Sequence, residues 1–211
     1  MVDLTHEEAA LRRGSTLIAG LDEVGRGSWA GPVAVGAVVC SDRTPPAGIR
    51  DSKRLSPARR NLLVGPIQAW AVAWAVGSSS PEECDRLGMT AALRLAAERA
   101  LDGLGVQPDH ILLDGVHDFL GREEVETIRG GDDRSLTIAA ASILAKTARD
   151  RIMVELAEHH PAYEFERNKG YPSLSHRAGL QAFGLSTAHR RSWSYVDRLV
   201  WSRPDQMRLP V

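Results

Sequence analysis

Apolar positions fall first into short β-branched runs and later into helical spacing. Residues 17–22 form a brief apolar run that stops at Gly25-Arg26-Gly27, and residues 32–40 (PVAVGAVVC) are β-branched and apolar. Both read as buried strands, and the short connection predicts an antiparallel hairpin. Pro45, Pro46 and Gly48 mark a loop over 41–50. Ser56 as N-cap and Pro57 at the first helical position predict a helix over 55–63. Residues 69–76 alternate strictly, with Trp70, Val72, Trp74 and Val76 against four alanines. That predicts a strand with one bulky face and one smooth face on which a helix sits closely.

Pro81 opens a helical stretch, and residues 90–104 are rich in Ala, Leu, Arg and Glu, a helix by propensity. Residues 110–113 form a short apolar strand stopping at Asp114-Gly115, and 125–129 form another before Gly130-Gly131. In residues 135–157, Leu136, Ala140, Ile143, Leu144, Ala148, Ile152 and Leu156 recur at three- and four-residue spacing, the strongest helical pattern in the chain. Pro161 stops it. Further helices are expected over 175–183, closed by Gly184, and over 193–201. Hairpin strands followed by alternating strands and helices predict an α/β fold, a mixed sheet with helices on its faces.

Composition adds bounds. The chain has 211 residues, 43% hydrophobic and 25% charged. That is an ordinary globular balance, and it excludes a disordered, collagenous or coiled-coil protein. The length fits one domain over residues 17–211 behind a charged lead segment, residues 1–16. Cys40 and Cys84 lack metal-ligand spacing and are expected as reduced core residues. The lead lacks the apolar stretch of a signal peptide and no membrane span is expected, which predicts a soluble, cytoplasmic protein. Formal net charge is −1, which announces no polyanion partner. Yet basic residues outnumber acidic ones eight to four over residues 159–211, a plausible footprint for one.

Candidate chemistry lies at strand ends. Asp22 and Glu23 are adjacent at one, and Asp114 closes another. Neighbours on a strand point to opposite faces, so Asp22 and Glu23 share a site only if the strand breaks there, as Gly25 and Gly27 allow. An Asp in such a place is often a turn-former or cap. Acids at two strand ends of a mixed sheet instead mark the crevice where ligands bind. Oxygen ligands alone point to Mg²⁺ or Mn²⁺. Asp132, Asp133 and Asp150 are candidates for a fourth carboxylate. Asp150 follows Asp132 by 18 residues, roughly 27 Å along a helix, so the two cannot serve one site. Flanked by Arg149 and Arg151, Asp150 reads as a charged helical surface residue. Spacing alone does not separate Asp132 from Asp133.

Other segments offer contacts to phosphate or sugar. Glycines in Gly25-Arg26-Gly27 permit close backbone approach. Ser52 and Lys53 bring a hydroxyl and a point charge on a loop. Ser142, Lys146 and Arg149 share one helix face, which either tracks a nucleic-acid backbone or is simply solvated. Tyr171, in Asn168-Lys169-Gly170-Tyr171-Pro172, either stacks on a base or sugar or is a buried corner tyrosine.

Taken together, GLDEVGRGSWAGPV (20–33), DSKRLSPARR (51–60), LLDG (112–115), GDDRSLTIAAASILAKTARDRIM (131–153), NKGYPSLSH (168–176) and HRRSW (189–193) closely resemble ribonuclease HII. The resemblance implies a ribonuclease H-like mixed five-stranded sheet flanked by helices, with a C-terminal helical extension from about residue 160. It implies a metal-binding catalytic set of Asp22, Glu23, Asp114 and Asp132. The family's fourth acid stands ten residues before the serine here numbered Ser142, which selects Asp132 over Asp133. Gly25, Arg26 and Gly27 would sense the ribose 2′-hydroxyl, which distinguishes RNA from DNA. Tyr171 would pack on the following deoxyribose. Ser52, Lys53, Ser142, Lys146 and Lys169 would contact substrate, and these three lysines are the chain's only ones.

The implied activity is two-ion hydrolysis of the RNA strand of RNA–DNA hybrids, and cleavage 5′ to single ribonucleotides in duplex DNA, by a monomer. It leaves a 3′-hydroxyl and a 5′-phosphate. Ser28-Trp29 and Ser173 depart mildly from the family pattern. With sixteen residues before the first expected strand, the extra N-terminal domain of ribonuclease HIII is not expected. The rival readings are a DNA-directed two-metal nuclease of the same fold and a non-catalytic nucleic-acid-binding module.

Overall fold

The structure, a computed structural model, describes residues 2–199. Five strands form one mixed sheet: β1 (Ile18–Val24), β2 (Val33–Val39), β3 (Ala73–Ser79), β4 (His110–Asp114) and β5 (Val125–Ile128), in the order β3-β2-β1-β4-β5. The expected hairpin is present: β1 pairs antiparallel with β2, and β2 with β3. β4 joins β1 in parallel and β5 joins β4 in parallel.

The helices are α1 (Thr5–Arg12), α2 (Pro57–Trp70), α3 (Pro81–Leu87), α4 (Met89–Gly103), α5 (Leu136–His159), α6 (Phe165–Asn168) and α7 (Leu174–Phe183). Strand alternation sends Ala19, Leu21, Val35 and Ala37 into one core beneath α4, with Leu93, Ala96 and Ala100. On the opposite face, α5 and α2 meet the sheet through Ala140, Ala141, Leu144, Leu63 and Ile67. α5 lies close to the strands because Gly36 has no side chain; a Cβ there would collide with the Ala141 carbonyl. A third cluster, with Met153, Tyr163, Phe165 and Leu180, fixes the C-terminal helical extension to the end of α5.

One strand boundary differs from expectation. The alternation over 69–76 predicts a strand from residue 69, whereas α2 runs on to Trp70 and β3 begins at Ala73. Leu63, Ile67 and Trp70 share a buried helical face, and the Trp70 indole donates to the Arg43 carbonyl at 2.9 Å. Tertiary burial there outweighs a local period of two. The smooth face is as expected, since Ala73 and Ala75 of β3 pack with the α4 cluster.

The lead segment is also more than a lead. It forms α1, whose buried Glu7 accepts from Ser135 Oγ, Thr137 N and Thr137 Oγ1 at 2.7–2.9 Å, at the start of α5. Of the helix expected over 193–201, residues 193–199 hold only a 3-10 turn, Val196–Arg198; the rest lies outside the described residues. Cys40 is half-buried, Cys84 is buried, and both are free. Among the described residues, no helix is long and apolar enough to cross a membrane.

Candidate active site

Register places the acids. Leu21 of β1 stands beside Leu113 of β4, the last pair between them; Asp114 closes β4, whereas β1 runs on along β2 to Val24, so Asp22 lies just past the β4 pairing and the strand break expected at Asp22–Glu23 does not occur. Such a strand-end crevice favours ligand binding. Asp132 arrives from a 3-10 turn, Gly131–Asp133, that leads into α5. The turn is tied to the strand end by the Gly131 N–H, which donates to Asp114 Oδ1 at 2.7 Å. Asp22, Asp114 and Asp132 each bring a carboxylate oxygen within 4.8 Å of the others.

Burial and mutual repulsion set the electrostatics. Burial pushes the Asp22 carboxyl well above the usual range; a hydrogen bond from Ser142 opposes this, while the charges of Asp114, Glu23 and Asp132 add to it. Burial raises Asp114 too, against the Gly131 N–H and with Asp132. Glu23 stands beside the trio and not within it. It pairs with Arg26 at 3.6 Å, and its carboxyl is raised by burial and by Asp114. Three crowded carboxylates, all oxygen donors and partly withdrawn from water, form a strongly anionic pocket. This donor set fits a hard divalent cation such as Mg²⁺ or Mn²⁺.

Lys53 faces the cluster. Its Nζ lies 2.8 Å from Asp132 Oδ2. Partial burial works against the ammonium, but Asp132, Asp22 and Asp51 outweigh it and raise its pKa. Asp133 turns aside to Arg54 at 2.9 Å, so of the two adjacent acids only Asp132 reaches the cluster. Ser52 Oγ and Ser142 Oγ are 2.8 Å apart.

Two readings of α5 change. Asp150 is not a free surface charge. It accepts from Lys146 Nζ at 2.6 Å and from the buried Arg60 at 3.0 Å, and Arg60 also donates to the carbonyls of Ser52 and Leu55. The network therefore supports the Ser52–Lys53 loop from below. The face carrying Ser142, Lys146 and Arg149 is not solvated: Ser142 and Arg149 are buried, and burial lowers the pKa of Lys146 despite Asp150. Its polar groups hold protein loops.

Tyr171 is 36% exposed, so it is not a buried corner tyrosine. Its ring lies 5.6 Å from the Arg149 guanidinium, and its edge comes within 3.9 Å of where a Cβ on Gly27 would stand. The structure thus brings Gly27 and Tyr171 together from opposite ends of the chain. Lys169 adopts a left-handed backbone with its ammonium on the Glu166 carbonyl. Sequence reading missed Arg60 and Arg190, whose partners Asp150, for the first, and Arg26 and Gly31, for the second, lie far away in the chain and leave no local pattern.

Comparison with known proteins identifies the family and the fold. The sequence profile of the family described as Ribonuclease HII matches residues 19–196. Ribonuclease HII of Streptomyces avermitilis is 50% identical over 187 residues, 88% of this chain and 80% of that one. The ribonuclease H2 of Pyrococcus horikoshii superposes with a TM-score of 0.71 at 25% identity, over 87% of this chain and 96% of that one. Bst-RNase HIII, solved in complex with Mn²⁺, superposes with a TM-score of 0.70 at 24% identity, over 88% and 70%. With its profile match spanning nearly all of the described residues and half of the aligned positions shared with a curated relative, the chain belongs to the ribonuclease HII family, endoribonuclease hydrolases of the ribonuclease H class.

Proposed function

We propose that this chain cuts the RNA strand of RNA–DNA hybrids, and also cuts 5′ to a single ribonucleotide embedded in duplex DNA, with two divalent ions, Mg²⁺ or Mn²⁺. The observation that carries this reading is the convergence of Asp22, Asp114 and Asp132 from two adjacent parallel strands and the turn before α5. These residues, with Glu23 beside them, would hold the ions. Bound there, divalent ions supply charge stabilisation at phosphorus and an activated water for in-line attack, leaving a 3′-hydroxyl and a 5′-phosphate. Asp22, reached by both Ser142 and the other acids, is the central ligand. Lys53 offers its charge to a phosphate at the mouth of the cluster, and Ser52, Ser142, Lys146 and Lys169 line or support the substrate path.

The Gly25–Gly27 turn and Tyr171 lie side by side, as sensing a ribose and the deoxyribose after it requires. A 2′-hydroxyl is both donor and acceptor, so backbone groups at a close-approaching turn suit it. Residues 17–211 would act as one catalytic unit behind residues 1–16, as a monomer in the cytoplasm.

The test is cleavage-site mapping on a labelled DNA duplex carrying one ribonucleotide, with and without Mg²⁺ or Mn²⁺. A single cut on the 5′ side of the ribonucleotide, dependent on the metal, is expected. Equal cleavage of an all-DNA duplex would replace this reading with a DNA-directed nuclease. No cleavage of either duplex or of a hybrid would leave a binding module.

A further inference from the structure

Arg149 and Arg190 are the largest fully buried side chains among the described residues. All their hydrogen bonds run to backbone carbonyls, apart from one to a serine hydroxyl. Arg149 Nε donates to the Pro32 carbonyl at 2.8 Å, Nη1 to the Lys169 carbonyl at 2.9 Å, and Nη2 to the Ala30 carbonyl at 3.0 Å and Ser28 Oγ at 2.7 Å. Ser28 Oγ in turn donates to the Gly25 carbonyl at 2.8 Å. Arg190 Nη1 donates to the Arg26 carbonyl at 3.0 Å. Burying a guanidinium without a paired carboxylate is costly, and burial lowers the pKa of Arg149 to about 10. Folding tolerates that cost here at the point where two loops meet.

The two loops are the Gly25–Gly27 turn and the Lys169–Tyr171 segment. Arg149 bonds to both: to the turn through Ser28, and to the second loop at the Lys169 carbonyl and beneath the Tyr171 ring. Gly25 has a φ of 85°, and a Cβ there would collide with the Arg149 guanidinium, so the side chain lies directly on the bare face of the turn. A guanidinium presents five donors in a rigid plane, so it fixes the directions of the carbonyls around it. An ammonium on a flexible stem does not.

We propose that Arg149 is a positioning residue that sets the spacing between the Gly25–Gly27 turn and Tyr171, and thereby the preference for a ribonucleotide followed by a deoxyribonucleotide. The proposal rests on the function read above, in which the turn senses the ribose and Tyr171 the next sugar. Arg149 touches no substrate. It acts by holding two sensing elements at one separation, and a misplacement of about 1 Å between such elements costs on the order of 100-fold.

The experiment measures kcat and KM separately on two substrates, a DNA duplex with one ribonucleotide and a continuous RNA–DNA hybrid. The proteins are wild type, Arg149→Lys, Ser28→Ala and Tyr171→Ala. Ser28→Ala cuts only the relay from Arg149 to the turn, so it reports even if Arg149→Lys fails to fold. Expected is a fall of about tenfold or more in the junction-to-hybrid ratio of kcat/KM for Ser28→Ala and for folded Arg149→Lys, carried by kcat on the junction substrate. A purely structural role would lower both substrates by one factor, and an unchanged ratio in Ser28→Ala overturns the proposal. Tyr171→Ala separates the two failures. If it shifts the ratio while Ser28→Ala and Arg149→Lys do not, only the positioning role falls. If Tyr171→Ala leaves the ratio unchanged, the sugar-sensing reading falls and the positioning role with it.

Discussion

The Lys53 ammonium, on a side chain 72% exposed, holds a 2.8 Å ion pair with Asp132, whose side chain is 8% exposed. An exposed cation thus reaches into the acidic cluster from its mouth. Its single nitrogen meets a single carboxylate oxygen, a geometry suited to a point charge rather than to a planar fork. Lys53→Arg is expected to lower kcat/KM on a hybrid by about tenfold although it keeps the charge, a loss of roughly 1.4 kcal/mol in transition-state binding. Steady-state kinetics beside wild type decide it, and wild-type kinetics in Lys53→Arg would show that charge alone suffices.

Asp22 tests the metal reading with two readouts. Its carboxyl is raised by burial and then by the neighbouring acids. Withdrawn from water among like charges, its ionised form costs folding free energy: stability present below the unfolded pKa is lost as pH rises through the folded one. Asp22→Asn removes that charge. The variant is expected to lose cleavage at least 100-fold while keeping duplex binding, and to melt higher than wild type when both are metal-free. A chain of this size gains about 2–4 °C per kcal/mol relieved. Thermal melts in a chelator and a cleavage assay read the two effects, and full activity in Asp22→Asn would sink the assignment.

The acids were legible in the sequence because strand ends are local features. A short apolar run that reaches an Asp just before a Gly marks Asp114, and a similar run with Gly three residues on marks Asp22, although β1 continues past it to Val24. The choice of Asp132 over Asp133 was not legible from spacing, since either side chain of a 3-10 turn can face the sheet. Arg54 pairs with Asp133 and turns it away from the cluster, and that pairing depends on a loop 79 residues earlier. The misreading of Asp150 has the same origin. Charged neighbours at positions 149 and 151 make a helix look solvated, yet Arg60 and the C-terminal extension cover that helix from outside. Burial of a polar helix face depends on contacts distant in sequence, and no window of a few residues contains them.

Glu7 joins the lead segment to the active-site helix. Its Oε1 accepts three hydrogen bonds from Ser135 and Thr137, while Oε2 is buried without a partner. A carboxylate at a helix N-terminus is favoured by the backbone dipole and by the free N–H groups there. Glu7→Ala removes the shared acceptor of three buried donors, leaving the Ser135 and Thr137 hydroxyls only each other at 3.2 Å, and is expected to destabilise the fold by about 2–4 kcal/mol. Urea denaturation would show it as a lower midpoint at unchanged slope. A shift below about 0.5 kcal/mol, the ordinary range for surface substitutions, would mean that α1 is dispensable.

A buried pair of neutral imidazoles supports Tyr171 from behind. The Ser186 N–H donates to His189 Nδ1 at 3.0 Å, so the neutral ring carries its proton on Nε2. That Nε2 lies 3.0 Å from His176 Nε2, which must then accept, leaving His176 Nδ1–H to donate to the Tyr171 carbonyl at 3.0 Å. Burial first, and then His176 and His160, push His189 down to about 3. The unfolded imidazole titrates near 6.5. Between those values the unfolded chain binds a proton that the folded chain refuses, so stability rises with pH. The contribution is complete above about pH 6.5 and is lost progressively toward pH 3. The acidic cluster acts with the opposite sign, since protonating Asp22 relieves repulsion, so wild type alone does not isolate the histidines. His189→Gln does. It retains a side-chain donor but no titration, and its Tm is expected to fall less than that of wild type between about pH 7 and pH 5. Parallel pH profiles for the two proteins would mean that the His176–His189 pair does not titrate with unfolding.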